Sequence, residues 1–245
     1  SVPNGNFLAL TGNRWLREKV DGKEISNGRY QVDAATGLYK LEGNSTNIVG
    51  NREPKLTGGI SNDFRYKNLT LSFLLDFRIG GDIYNGTQYY LTGRGQSLMT
   101  AANRDKVTVS GVDSKTMEPV EYTYERGQNY VINGKTYAGA YMIQQYWSNY
   151  QDNAYNFMTE TNWLKLRSIS LAYDFSNLIK GQSFIKNLTA TVAATNLFTW
   201  TNYKGGMDPE VAAVGSGTGG SGSVGVDYCG VPSQRSFSFG VNLTF

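Results

Sequence analysis

Between Leu69 and Ile79 the side chains sort themselves by parity. Leu69, Leu71, Phe73, Leu75, Phe77 and Ile79 share one parity, and Thr70, Ser72, Leu74, Asp76 and Arg78 share the other. A strand sends successive side chains to opposite faces, so one face of this segment is apolar and the other mostly polar. Just upstream, Leu56, Gly58, Ile60, Phe64 and Tyr66 form one set, interrupted by Asn62, against Thr57, Gly59, Ser61, Asp63 and Arg65. The two segments meet at Tyr66-Lys67-Asn68-Leu69, which predicts a tight hairpin. The same alternation returns from Phe237 to Phe245 and from Leu188 to Thr195, the latter closing in Phe198 and Trp200. From Trp163 to Phe175 the apolar parity switches between Leu166 and Ile169, which predicts a bulge near Arg167-Ser168. A further strand is expected within Phe7 to Lys19.

The connections between these strands alternate between long and short. Val20 to Arg52, Gly86 to Thr161 and Thr201 to Ser233 are long, whereas Lys67-Asn68 and Ser176 to Ile185 are short, against ordinary loops of roughly 4 to 6 residues. Strands joined up-and-down in this way carry all long loops at one end and all tight turns at the other, as membrane barrels do. A soluble sandwich distributes long loops to both ends. Aromatics are expected at both girdle heights of such a barrel: Tyr66, Tyr173, Phe175 and Phe245 at the short-turn end, and Tyr84, Trp163, Phe198 and Trp200 at the long-loop end. In the longest loop, Val120 to Tyr124 is expected to pair with Tyr130 to Tyr137 in a surface hairpin around Gly127. Gly215 to Gly225, almost wholly Gly, Ser and Thr, reads as a flexible loop.

Composition narrows the chemistry. The chain has no histidine, which excludes a Ser-His-Asp triad, a Cys-His pair and a His-built metal site. Its single cysteine, Cys229, forms no internal disulfide and leaves the compartment open. A net charge of +3 gives no nucleic-acid footprint. No apolar run reaches the roughly 18 to 20 residues of a spanning helix, and Ser1-Val2-Pro3-Asn4 shows no signal-peptide pattern, which leaves a membrane barrel open. Gly134-Lys135-Thr136 resembles the end of a P-loop, but Asn129 stands where its first glycine belongs. Five Asn-x-Thr matches begin at Asn44, Asn68, Asn85, Asn187 and Asn242; three of them sit in or beside the expected sheet, where turn-favouring Asn and strand-favouring Thr already account for them. Glu118 with Glu121, or Asp208 with Glu210, could form an acid and base pair, although the sequence places neither across a substrate. The loop aromatics Tyr146, Trp147, Tyr150 and Tyr155 are the candidates for ligand contact, because a flat apolar face with a polar tip suits sugar stacking. No catalytic residue, cofactor or metal site is expected, and the chain reads as no enzyme.

Several blocks resemble one family. Ile48-Val49-Gly50-Asn51-Arg52-Glu53-Pro54, Gly58 to Asn62, and Asp76-Phe77-Arg78-Ile79-Gly80-Gly81-Asp82-Ile83-Tyr84-Asn85 are similar to late barrel strands of SusC/RagA-type TonB-dependent transporters. Leu164 to Tyr173, Asn196 to Thr201 with Tyr203-Lys204-Gly205 and Asp208-Pro209-Glu210, and Pro232 to Phe245 agree with it in order and spacing. The resemblance implies an all-β fold: an antiparallel up-and-down transmembrane β-barrel segment of about 6 to 8 strands from a barrel of about 22, with long extracellular loops and short periplasmic turns. Residues 1–245 would be the C-terminal part of that barrel, lacking the plug domain and the N-terminal strands. The implied function is import of glycans or peptides across the outer membrane of a Gram-negative, Bacteroidota-like bacterium. The implied partners are a SusD-like surface lipoprotein, TonB acting through the missing plug, outer-membrane lipids and the barrel-assembly machinery, for which Phe245 resembles the terminal aromatic signal. Asp63, Arg65, Asp76 and Arg78 would face the interior. The alternatives are a soluble glycan-binding β-sandwich or adhesin and, further off, a carboxylate glycosidase.

Overall fold

A computed structural model describes residues 8–43, 47–179, 181, 184–206, 208–210 and 225–245. Its largest sheet has five antiparallel strands: β1 (Leu56–Tyr66), β2 (Leu69–Ile79), β3 (Trp163–Asp174), β4 (Asn187–Thr201) and β5 (Ser236–Thr244). They neighbour one another in chain order, so the sheet is an up-and-down meander. The hairpin at Lys67-Asn68 stands as expected, with Tyr66 opposite Leu69 and Lys67 at φ 52° in the turn. Long and short connections alternate as the sequence implies, because residues 80–162 join β2 to β3 and 202–235 join β4 to β5.

Register carries the parity of one strand across all five. Leu71 lies opposite Phe64 and Leu171, Leu171 opposite Val192, and Val192 opposite Phe239. One face is therefore a continuous apolar surface, and of its large side chains none is buried; Phe239 is 80% exposed. Ala194, the small residue at mid-height opposite Ile169 and Phe237, is the buried exception. Gly58 sits on this face with the Phe77 ring beside it; a Cβ there would lie 2.8 Å from the ring edge. The aromatic thus covers a gap that any larger residue would contest.

The bulge falls where the parity switch places it. Between Leu166 and Ser168 the register shifts against both β2 and β4, and Asn196 adopts φ 50° on the facing strand. Against β4 the surplus lies on β4 itself, where Asn196 and Leu197 oppose a single residue, and against β2 the extra residue is Arg167. Without it, Ile169, Leu171 and Tyr173 would turn to the polar face, since a slip of one residue exchanges the faces of a strand.

Described residues of the long connections and of the segment before β1 form a second layer with its own core. Strands Pro119–Glu125, Lys106–Asp113, Gln31–Asp33 and Leu38–Tyr39 form a four-stranded sheet in that order. Three helices accompany it: α1 (Gly86–Gly93), α2 (Leu98–Ala102) and α3 (Gly139–Asp152). Val32, Val107, Val109, Tyr124, Ile132, Met142 and Ile143 make up the buried core between sheet and α3. Among the described residues no helix is long and apolar enough to cross a membrane.

Three expectations are corrected here. Phe7 to Lys19 contains short pieces, Ala9–Thr11, Arg14–Trp15 and Lys19–Val20, which pair within residues 8–52; the described long sheet has five strands, not six to eight. Phe7 itself lies outside the described residues. The hairpin around Gly127 does not form, because Val120 to Tyr124 pairs with Val107 to Gly111, while Asn129–Ile132 pairs with Lys135–Ala138. Asn133 and Gly134, at φ 50° and 74°, supply the two positive dihedrals that a two-residue hairpin turn needs. Of the expected girdle aromatics, Trp163 is buried on the polar face and Tyr84 packs 6.2 Å from both Tyr89 and Phe157 in the loop layer. Phe198 and Trp200, stacked at 5.7 Å, do hold the apolar face at the long-loop end, and Phe175 lies 4.6 Å from Tyr173 at the other. The glycine-rich run Gly215 to Gly225, apart from Gly225, and the Asn44 match lie outside the described residues.

Candidate functional site

The polar face of the sheet is drawn together by one cluster of charges. Asp76 on β2 lies opposite Lys165 on β3, and the bulge adds Arg167 beside them. From the β4–β5 connection come Asp208 and Glu210. Lys165 Nζ donates to Asp208 Oδ1 at 2.7 Å and to Glu210 Oε2 at 2.5 Å. Arg167 donates through Nη1 to Glu210 Oε2 at 2.7 Å, through Nη2 to Glu210 Oε1, and through Nε and Nη2 to Asp76 Oδ2 at 3.1 and 2.8 Å. The planar guanidinium thus bridges two carboxylates from different elements, a task an ammonium could not match in geometry. Both cations also sit over the Trp163 ring, at 5.6 and 5.4 Å from its centroid.

Lys165 is 1% exposed, and such a charge persists only if its partners replace water. Asp208 is equally well served. Its carboxylate accepts from Lys165, from the Glu210 N–H at 3.0 Å, and from the Ser233 N–H and hydroxyl at 3.1 and 2.9 Å. Burial pushes the Asp208 carboxyl up, but the hydrogen bonds from Lys165, the two backbone amides and the Ser233 hydroxyl outweigh it and hold the group down at about 2. A depressed folded value means that the contribution to stability is complete above the unfolded value of about 3.9 and is lost as pH falls through the folded one. We therefore expect the attachment of this connection to hold to about pH 4 and loosen toward pH 2. Fluorescence of Trp163, read as the difference between wild type and Trp163→Phe, should follow that transition, and Asp208→Asn should remove it.

A second set of contacts ties the two long connections to each other. Asp227 is fully buried and accepts from Thr87 Oγ1 at 3.0 Å and from the Tyr203 hydroxyl at 2.8 Å. Burial and then the Asp227 carboxylate raise the Tyr203 phenol, so it stays a donor. Asn85, itself buried, caps α1 by accepting from the Gln88 N–H and donates to the Lys204 carbonyl. It is no glycan acceptor in this position.

The expected interior charges share the face of this cluster. Asp63 and Arg65 lie opposite Ser72 and Thr70, and Arg78 donates to the carbonyls of Arg52 and Gly80. In the sequence Arg167 marks only the expected bulge and Lys165 carries no signal of its own beyond its place beside Trp163 on the polar parity. The four candidate ligand aromatics do not converge. Tyr146, Trp147 and Tyr150 lie on α3 within 5.1 to 6.3 Å of one another, and the first two pack on the buried core. Burial pushes the Tyr146 phenol up to about 12. Tyr155 stands apart, 47% exposed, its hydroxyl donating to the Ile48 carbonyl at 3.2 Å. Asp208 and Glu210, considered as an acid and base pair, are instead neutralised by Lys165 and Arg167, while Glu118 and Glu121 are solvent-exposed.

The described sheet is thus a five-stranded meander with one apolar and one charged face and a folded loop layer attached at one end. No family model matches the chain. It is 26% identical over 245 residues to TonB-dependent receptor P39 of Formosa agariphila, covering 99% of this chain and 20% of that protein. It is 23% identical over 252 residues to TonB-dependent receptor P26 of the same organism, covering 100% of this chain and 23% of that one. Its fold matches a chain of the RagAB peptide importer in the open-open state with a TM-score of 0.50 and 19% identity, over 96% of this chain and 22% of that one. The closed-closed state gives the same score at 18% identity. The chain spans about a fifth of the length of these relatives and is similar, along nearly all of its own length, to one part of TonB-dependent receptors.

Proposed function

We propose that residues 1–245 are the C-terminal part of the barrel of an outer-membrane importer that takes up glycans or peptides. The observation that carries this reading is the apolar face kept in register through β1 to β5 while Asp63, Arg65, Asp76 and Arg78 occupy the other face. An uncovered apolar surface of that extent suits acyl chains, and a charged face suits a water-filled or plugged interior. A soluble sandwich would need a second protein layer over Leu71, Leu171 and Phe239. Both edges of the described sheet, β1 and β5, offer unpaired strand groups to further strands of a closed wall. The plug through which TonB would act belongs to other parts of the longer chain, and a SusD-like lipoprotein would close over the loop layer. In this reading the charged cluster holds the β4–β5 connection against the wall, and Tyr155 is, of the four candidate aromatics, the most exposed to a ligand. The chain performs no chemistry; it shapes a passage.

The reading is tested by deleting the full gene and growing the strain on a panel of single glycans and peptide mixtures. We expect loss of growth on at least one nutrient, restored by the full gene and by no version lacking this segment. Undiminished growth on every nutrient, with the protein recovered in the soluble fraction, would count against it.

A further inference from the structure

A groove along α3 shares no residue with the charged cluster on the sheet. Ala140, Ile143, Gln144 and Trp147 line it, and their spacing of three and four places sets them on one stripe of the helix. Arg104, from the turn after α2, and Arg126, just past the strand Pro119–Glu125, line it as well. The ladder between that strand and Lys106–Asp113 brings the two arginines together, because the Arg126 N–H donates at 2.8 Å to the carbonyl of Asp105, next in the chain to Arg104. The groove has a volume of about 270 Å³. A second cavity, of about 520 Å³, adjoins it at Trp147, which lines both. The indole is held edge-on to Tyr146 and Tyr150, at 5.1 and 5.4 Å between ring centroids.

We propose that this groove is a subsite for an acidic sugar, with Arg104 and Arg126 taking its charged group and Trp147 its ring. Among the described residues the lining holds two guanidinium groups and no carboxylate. The Arg104 guanidinium has no hydrogen-bond or ion-pair partner among them. Arg126 faces Asp105, but Nε and Oδ1 are 3.7 Å apart, too far for a hydrogen bond, and both side chains are largely exposed. Such a contact is weak, and a ligand oxyanion can displace it. Asp105 and Lys106 line the adjoining cavity, where Lys106 is already paired with Glu125 at 2.8 Å. Two planar forks of N–H donors match the oxygens of a carboxylate or a sulfate, and a partly exposed indole suits the apolar face of a sugar ring. The groove is smaller than the roughly 300 to 1,000 Å³ of sites that enclose a whole ligand, so it takes one charged ring of a chain, and the adjoining cavity has room for the next. An acidic peptide side chain would satisfy the arginines but offers Trp147 no flat face, which favours the sugar. Two sources share the required charge, a uronate carboxylate and a sulfate ester.

The inference deepens the import reading and rests on it for its purpose, but its test does not pass through transport. Purified full-length protein in detergent is titrated by calorimetry with trigalacturonate, its methyl ester, galactotriose, sulfated galactotriose and tri-glutamate. We expect at least one charged sugar to bind at least about tenfold more tightly than its ester or neutral counterpart, the scale of one charge-assisted hydrogen bond, and the preference to shrink as salt is raised. Arg104→Ala should erase the preference, and Arg104→Lys should keep part of it. Ala140→Met narrows the groove from an exposed helix position without changing charge, and should weaken binding of the charged sugar severalfold. Each variant should keep the heat-modifiable mobility of the folded barrel, and Lys55→Met, which removes an exposed cation outside the groove, should bind as the wild type does. Tighter binding of trigalacturonate than of sulfated galactotriose assigns the carboxylate source, and the reverse assigns the sulfate. The proposal is overturned if neither charged sugar binds or neither is preferred to its neutral counterpart, if tri-glutamate binds more tightly than both, or if the preference survives Arg104→Ala. A protein that is folded and soluble without detergent would sink the import reading, and the same titration in buffer would still decide this one.

Discussion

Replacing Lys165 by Met is expected to destabilise the intact protein by about 3 to 5 kcal/mol, the usual cost of removing one partner from a buried ion pair. Lys165 is almost wholly buried, and its ammonium is shared between Asp208 and Glu210. The cluster holds two cations, Lys165 and Arg167, and three carboxylates, Asp76, Asp208 and Glu210. Removing one cation leaves Arg167 alone against all three, with Asp208 unable to reach bulk water. Lys55 supplies the contrast. It pairs with Glu160 at 3.2 Å, but both side chains are largely exposed, so Lys55→Met should cost no more than about 1 kcal/mol. Urea unfolding in detergent, followed by tryptophan emission, measures both. Adding Asp208→Asn and Glu210→Gln to Lys165→Met should recover much of the loss, since the penalty lies in the stranded carboxylates more than in the missing lysine. A Lys165→Met protein as stable as Lys55→Met would show that water reaches the cluster freely.

What could be read from the sequence divides along the range of the interactions concerned. Alternation is a local property, so the two faces of Leu69 to Ile79 and of Phe237 to Leu243, the tight turn at Lys67-Asn68 and the bulge at Arg167 were all legible. The loop layer was not, because its core joins Val32 to Val109 and Met142 across contacts that no local pattern announces. One local signal there was passed over. Asn133-Gly134 is the dipeptide best suited to a two-residue hairpin turn, and it outcompetes Gly127, where the flanking aromatic runs alone suggest the turn. Height along the strand suggests a girdle place for Trp163 and Tyr84, whereas parity puts Trp163 beside Lys165 on the polar face. The charged cluster was half visible. Asp208 and Glu210 drew notice as carboxylates, and Lys165 and Arg167 fell within a family-like block, but only the fold brings residues 43 positions apart to 2.7 Å.

The second large effect tests the orientation of the wall. Leu71 and Ser72 are neighbours on β2, the third and fourth residues in from the Lys67-Asn68 turn, with Leu71 among Phe64 and Leu171 and Ser72 opposite Asp63 and Ser170. In a bilayer, Leu71→Arg exposes a guanidinium to hydrocarbon between the interface, where the cost is about 1 kcal/mol or less, and the midplane, where it is about 2 to 4 kcal/mol. Ser72→Arg adds the same charge to a face that already carries Asp63, Arg65, Asp76 and Arg78, and should cost little. Heat-modifiable mobility and the yield of folded protein in the outer membrane would read the difference, which should be large for the first substitution and near zero for the second. A protein layer over the apolar face would also penalise Leu71→Arg, so the asymmetry between neighbours needs one more substitution. Phe239→Leu keeps the face apolar but removes an aromatic that is 80% exposed. Against lipid, which packs as a fluid around any apolar shape, it should be nearly neutral. Against a packed protein core, the same change would open a cavity, and the penalty for that grows with its volume. A marked loss for Leu71→Arg together with near-neutral Ser72→Arg and Phe239→Leu is therefore the pattern of a membrane wall, and a marked loss for Phe239→Leu as well is the pattern of a protein interior.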